Sequence, residues 1–136
     1  MTWTRIPEGL VCGLWRVRLA GDAYELERWS RASEWWQTMS VHPTEALAQV
    51  ASGCAPPEAA REVMESWRES LVDPYKGHLG WQTRMAARLT LPGRKVTQGR
   101  VSEVWLGRYV MPSDWPVRWA DATARASFYV YNTFEE

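Results

Sequence analysis

The sequence predicts an α+β fold: a single antiparallel sheet of about five to six strands packed by two helices, in the order βββααββ(α)β. Three observations carry that reading. Apolar and polar residues alternate over residues 11–19 and 81–91, a helical apolar stripe runs through residues 57–71, and Gly, Pro and Asp turn residues separate these runs.

Over residues 11–19, Val11, Gly13, Trp15, Val17 and Leu19 share one face and Cys12, Leu14, Arg16 and Arg18 the other, as in a strand with one buried side. Ala20-Gly21-Asp22 is turn chemistry. Beyond it Tyr24 and Leu26 alternate with Glu25 and Glu27, which predicts a hairpin, and a third strand follows over residues 34–41. His42-Pro43-Thr44-Glu45 reads as a helix start and Gly53 as its end, with Leu47, Val50 and Ala51 as the apolar side. Ala55-Pro56-Pro57 breaks the chain and opens a second helix. Its stripe is Ala60, Val63, Met64, Trp67 and Leu71, and its wet face carries Glu58, Arg61, Glu62, Glu65, Arg68 and Glu69.

Asp73-Pro74, Gly77 and Gly80 mark a loop. From residue 81 to 91, Trp81, Thr83, Met85, Ala87, Leu89 and Leu91 oppose Gln82, Arg84, Ala86, Arg88 and Thr90, a long strand with a basic outer face. The loop at residues 92–99 closes a hairpin and residues 100–110 return as its partner. Ser113-Asp114 caps a short helix carrying Trp115 and Trp119, or with Pro112 and Pro116 forms a loop, and residues 126–134 make a final strand.

Length and composition bound the function classes. A chain of 136 residues fits one domain, residues 1–136, able to bury roughly two thirds of its unfolded surface. At 46% hydrophobic and 24% charged it is too apolar for a disordered chain. No leader-like N-terminal segment and no apolar run of spanning length are present, so no membrane partner and a cytoplasmic location are expected. Cys12 and Cys54 lack metal-site spacing and read as two buried thiols, with a Cys12–Cys54 bridge as the alternative. Ten tryptophans, and 14 arginines against two lysines, depart from ordinary usage.

Charge is unevenly spread although the net is zero. Residues 43–73 hold two arginines and six acids, whereas residues 74–112 hold seven cations and the single acid Glu103. Three readings of the basic segment follow. Its cations pair with Glu58, Glu62, Glu65 and Glu69; or they dock on an acidic protein partner, with Trp and Arg as anchors; or they hold nucleic-acid phosphates while sheet aromatics stack on bases. The candidate binding residues are Arg84, Arg88, Arg94, Lys95, Arg100, Arg108 and Trp105.

Trp15, Trp67 and Trp81 lie on apolar stripes and belong to the core, whereas Trp3, Trp29 and one of the adjacent pair Trp35 and Trp36 are candidates for aromatic contact, a sugar platform included. No phosphate loop, dinucleotide fingerprint, HExxH pair, calcium loop or GxSxG elbow occurs, so no cofactor or metal is expected. An enzyme would have to assemble its site near His42, His78 and Cys54 through tertiary contacts. The sequence therefore favours a small noncatalytic binding protein, an accessory factor or inhibitor, over a nucleic-acid binder and over an enzyme.

Overall fold

Short runs of alternating residues, each stopped by a turn, build a five-stranded antiparallel meander from the first 42 residues. The strands are β1 (Thr4–Ile6), β2 (Gly9–Cys12), β3 (Trp15–Ala20), β4 (Ala23–Ser30) and β5 (Trp35–His42), hydrogen-bonded in chain order. The computed structural model describes residues 2–135, with side chains over residues 2–125. The α+β class and the five-strand antiparallel sheet are as the sequence predicts.

Strand boundaries differ from expectation at the N-terminal end of the sheet, where β1 lies ahead of the first expected strand and β2 begins at Gly9. The single strand expected over residues 11–19 is two strands, because Gly13 takes φ 59° and Cys12 pairs directly with Trp15 across a two-residue turn. Alternation survives a tight hairpin of this kind, so a period of two cannot reveal the fold-back. The hairpin at Gly21-Asp22 stands as read, with Ala20 paired to Ala23.

Register puts Leu10, Val17 and Leu26 side by side on one face, where they form a core with Ala48, Trp3, Trp15 and Tyr24. The other face is a charge ladder. Arg16 pairs with Glu27 at 2.8 Å and Arg18 with Glu25 at 2.8 Å, and the Arg16 guanidinium lies 4.7 Å from the Trp36 ring centre. Trp36 meets Trp29 edge-on at 5.5 Å, so Glu27 is buried although its face carries no helix-packed apolar core.

Five helices follow: α1 (Glu45–Ala51), α2 (Pro57–Glu69), α3 (Trp81–Leu89), α4 (Gln98–Trp105) and α5 (Trp115–Glu135). No helix among the described residues is long and apolar enough to cross a membrane. Thr44 starts α1, its Oγ1 accepting the Leu47 N–H at 3.2 Å. In α2 the expected stripe is buried through Val63, Met64 and Trp67. The second core joins Ala46 and Val50 of α1 to Met64, Met85, Leu89, Val101, Val104, Met111 and Trp115.

The basic hairpin expected over residues 81–110 is a helix, a loop and a helix. Trp81, Met85 and Leu89 are every fourth residue, so they satisfy a period of two and one of 3.6 alike. The outcome shows in the residues that distinguish the two patterns: Ala86 is buried, while Thr83 and Ala87 are exposed. Residues rich in Ala, Met, Arg, Gln and Leu favour the helix. In α4 the Thr97 Oγ1 accepts the Arg100 N–H at 3.1 Å, and Val101 and Val104 turn inward. Pro92-Gly93 does make a tight turn, with Leu91 and Arg94 exchanging both backbone hydrogen bonds, but it links two helices. The final strand expected over residues 126–134 is instead the continuation of α5, whose sequence has no Gly or Pro after Pro116 to stop it.

Ala48 is fully buried between α1 and the sheet. Ala48→Leu is expected to lower stability by about 1–3 kcal/mol through overpacking. The same change at exposed Ala87 should stay within about 0.5 kcal/mol. Urea denaturation monitored by circular dichroism checks the contrast.

Candidate functional site

Thr97 starts α4, Asp114 precedes α5, and the Pro92-Gly93 turn places Arg94 and Lys95 beside both helix starts. Between them lies a cleft of about 290 Å³ lined by Arg94, Lys95, Arg100, Arg118, Tyr109 and Asp114. Four cations thus surround one carboxylate. The starts of α4 and α5 add partial positive charge to the same place.

These cations are not equivalent. Arg118 is fixed: it donates to Asp114 Oδ2 at 2.8 and 2.9 Å and to the carbonyl oxygens of Leu89 and Arg94 at 3.2 and 3.4 Å. Arg100 donates to Glu103 at 3.2 Å, and its guanidinium carbon lies 3.8 Å from the Tyr109 ring centre, both residues lining the cleft. Arg94 and Lys95 are exposed, and neither side chain forms an ion pair among the described residues. Glu58, Glu62, Glu65 and Glu69 of α2 form no ion pair with any of the seven candidate binding residues.

Three of the sequence-derived candidates, Arg94, Lys95 and Arg100, meet in this cleft and the other four lie elsewhere. Arg84 is a clamp on the loop before α3, donating to the carbonyl oxygens of Leu71, Leu79 and Gly77 at 3.0, 2.7 and 3.3 Å. Arg88 covers Trp119 at 5.2 Å. Trp105 meets Trp81 edge-on at 5.0 Å and carries Arg61 over its face at 4.6 Å. Arg108 is exposed and lines a small recess beside Val110. Sequence reasoning missed Arg118, which lies beyond the basic segment. Its signal was the spacing to Asp114, one helical turn away once Ser113-Asp114 is read as a helix start.

Of the aromatic candidates, Trp35 is 68% exposed at the start of β5, while Trp3, Trp29 and Trp36 are half-buried. Trp3 donates its indole N–H to the Cys54 carbonyl at 2.8 Å. His42, His78 and Cys54 do not converge. His78 lines a recess with Arg68 and Gln98, Cys54 lines a groove with Trp3 and Gln49, and His42 sits at the end of β5 with Nε2 2.7 Å from Ser40 Oγ. Cys12 is buried, Cys54 is half-buried and both are free thiols. Among the described residues no group of three or more His, Cys, Asp or Glu is placed to hold a metal ion.

Asp73 and His42 both titrate below their ordinary values. The Tyr75 and Lys76 backbone N–H groups, both donating at 2.8 Å, hold the Asp73 carboxyl below the usual range. Burial holds the His42 imidazole below its ordinary value of 6.5. Comparisons with known protein families, with curated proteins and with solved structures return no match for this chain, so its function has to be read from its own residues.

Two outcomes are expected. Arg84→Ala should cost about 1–3 kcal/mol, because three carbonyl oxygens lose a charged donor, whereas Arg94→Ala should stay within about 0.5 kcal/mol; chemical denaturation of both variants measures this. For His42, the unfolded chain takes up a proton before the folded one as pH falls through 6.5, so the stability supplied by the neutral ring is lost in that direction. The melting temperature should drop between about pH 7.5 and about pH 5, and His42→Gln should make that drop shallower.

Proposed function

We propose that the protein is a small noncatalytic binding protein that docks on an acidic protein partner through the cleft at the starts of α4 and α5. One observation supports this above all: Arg94 and Lys95 are unpaired beside Arg100 and the anchored Arg118, and the acids of α2 do not neutralise them. Guanidinium and ammonium groups gathered in this way suit carboxylate side chains, with Arg100 placed by its contact with Tyr109. The partner supplies what the cleft lacks, negative charge at its rim.

Nucleic acid fits the same cations less well. Base stacking needs open ring faces, but Trp81 and Trp105 meet each other and lie under Arg68 and Arg61, away from the cleft, while Tyr109 lies under Arg100. Of the aromatics expected to share a sheet with the cations, Trp81 and Trp105 are on helices and Tyr109 follows α4.

The test is fluorescence anisotropy with two labelled probes, a glutamate-rich peptide and a single-stranded oligonucleotide of equal length, at low and physiological salt. Saturable peptide binding is expected, weakened about tenfold or more by Arg94→Ser with Lys95→Ser. Tighter binding of the oligonucleotide, lost in the same variant, would replace the protein partner with nucleic acid. Binding of neither probe would contradict both.

A further inference from the structure

A groove of about 960 Å³ runs between the β1–β2 end of the sheet, α1 and the start of α2, and Val110 closes its far side. It is separate from the basic cleft, although Val110 and Tyr109 are neighbours on the chain: Tyr109 lines the cleft and Val110 the groove. Its walls are apolar at Trp3, Leu10, Pro57 and Val110.

Gln49 stands at its base. Ala46 and Val50 turn α1 towards the helices and Ala48 turns it towards the sheet, which leaves Glu45 and Gln49, one turn apart, on the remaining side. Gln49 is only 7% exposed, yet its side-chain amide makes no hydrogen bond to any described residue. Among the described residues the fully enclosed unpartnered atoms are Arg18 Nε, Arg68 Nε and His78 Nδ1; the Gln49 amide is not one of them, so it opens into the groove it lines. An amide held in an otherwise buried side chain, with its polar atoms facing the groove, is fixed in place to accept from and donate to a ligand that displaces water there.

Charge and backbone indicate what that ligand is. Glu58 and Glu62, one turn apart on α2, line the groove without an ion pair, and the third carboxylate, Glu45, is held bidentately by Arg5 at 2.8 and 3.0 Å. The groove is therefore net acidic. β1, which contributes Arg5, is an edge of the sheet with β2 as its hydrogen-bonded neighbour, so a strand can be added beside it. A primary amide offers one acceptor and two donors, the complement of a peptide group.

We infer that this groove binds an extended peptide segment bearing a basic side chain, its main-chain amide on Gln49 and its cation between Glu58 and Glu62. The groove is then a second docking site of opposite sign to the cleft, and neither depends on the other.

The experiment uses the full chain labelled with nitrogen-15, titrated with two end-capped pentapeptides, Leu-Arg-Val-Lys-Leu and Leu-Glu-Val-Glu-Leu. The basic peptide is expected to shift the Gln49 side-chain amide and the backbone amides of Cys54, Glu58 and Glu62 saturably. Glu58→Gln with Glu62→Gln, both exposed positions, should weaken it at least tenfold. Gln49→Leu should abolish binding while leaving the melting temperature unchanged or raised, since the amide satisfies nothing within the fold. The inference is overturned if millimolar basic peptide leaves the Gln49 amide in place, if shifts fall only at Glu65 and Glu69, or if the glutamate peptide binds as well.

Discussion

Everything in this fold hangs on a seven-residue helix that is buried on two sides. Three of the seven side chains of α1 are alanine, and that is what lets one helix lie close to two layers at once: Ala48 belongs to the core of Leu10, Val17 and Leu26 of the sheet, while Ala46 and Val50 enter the core made by α2 to α5. A helix with apolar side chains on opposite faces is stable only when both are covered. The remaining side of α1 carries Glu45 and Gln49, so the same helix that joins the layers also forms the base of the groove between them.

The surplus of tryptophan and arginine has a common explanation in the packing. Guanidinium groups lie over rings at Arg16 on Trp36, Arg28 on Trp15, Arg61 on Trp105, Arg68 on Trp81 and Arg88 on Trp119. Apart from Arg16 on Trp36, which lies on the charged face of the sheet, each pair closes the edge of a core with an amphipathic lid, covering an indole while keeping a charge near water. Trp67 stacked on Trp119 at 4.9 Å ties α2 to α5 in the interior. Composition therefore pointed to partner contacts for residues that mostly contact one another. Arg94 and Lys95, at a turn rather than on a helix face, are among the cations left without such a neighbour.

The α+β class, the Gly21-Asp22 hairpin, β5 and the first two helices were legible because their periods and stop signals agreed. Residues 81–91 were not, since apolar side chains every fourth residue fit strand and helix alike and only the placement of Thr83, Ala86 and Ala87 separates the two. Thr97 as a helix cap was readable but was obscured by Gly99 two residues on, and α5 was obscured by its aromatic and β-branched content. Half of the cleft was legible as a basic segment. Its boundary was not, because Arg118 joins it only through the fold, and Gln49 carries no sequence signal at all: its meaning lies in being buried without a partner.

Because α1 belongs to both cores, the sheet and the helical layer should open together, which would hold cleft and groove in a fixed relation. Native-state hydrogen exchange measures this most directly. The amides of Val17 and Leu26 in the sheet, Val50 in α1 and Met64 in α2 are expected to share one opening free energy, equal to that of global unfolding. Exchange of the sheet amides through a lower-energy opening, while Val50 and Met64 stay protected, would contradict the account.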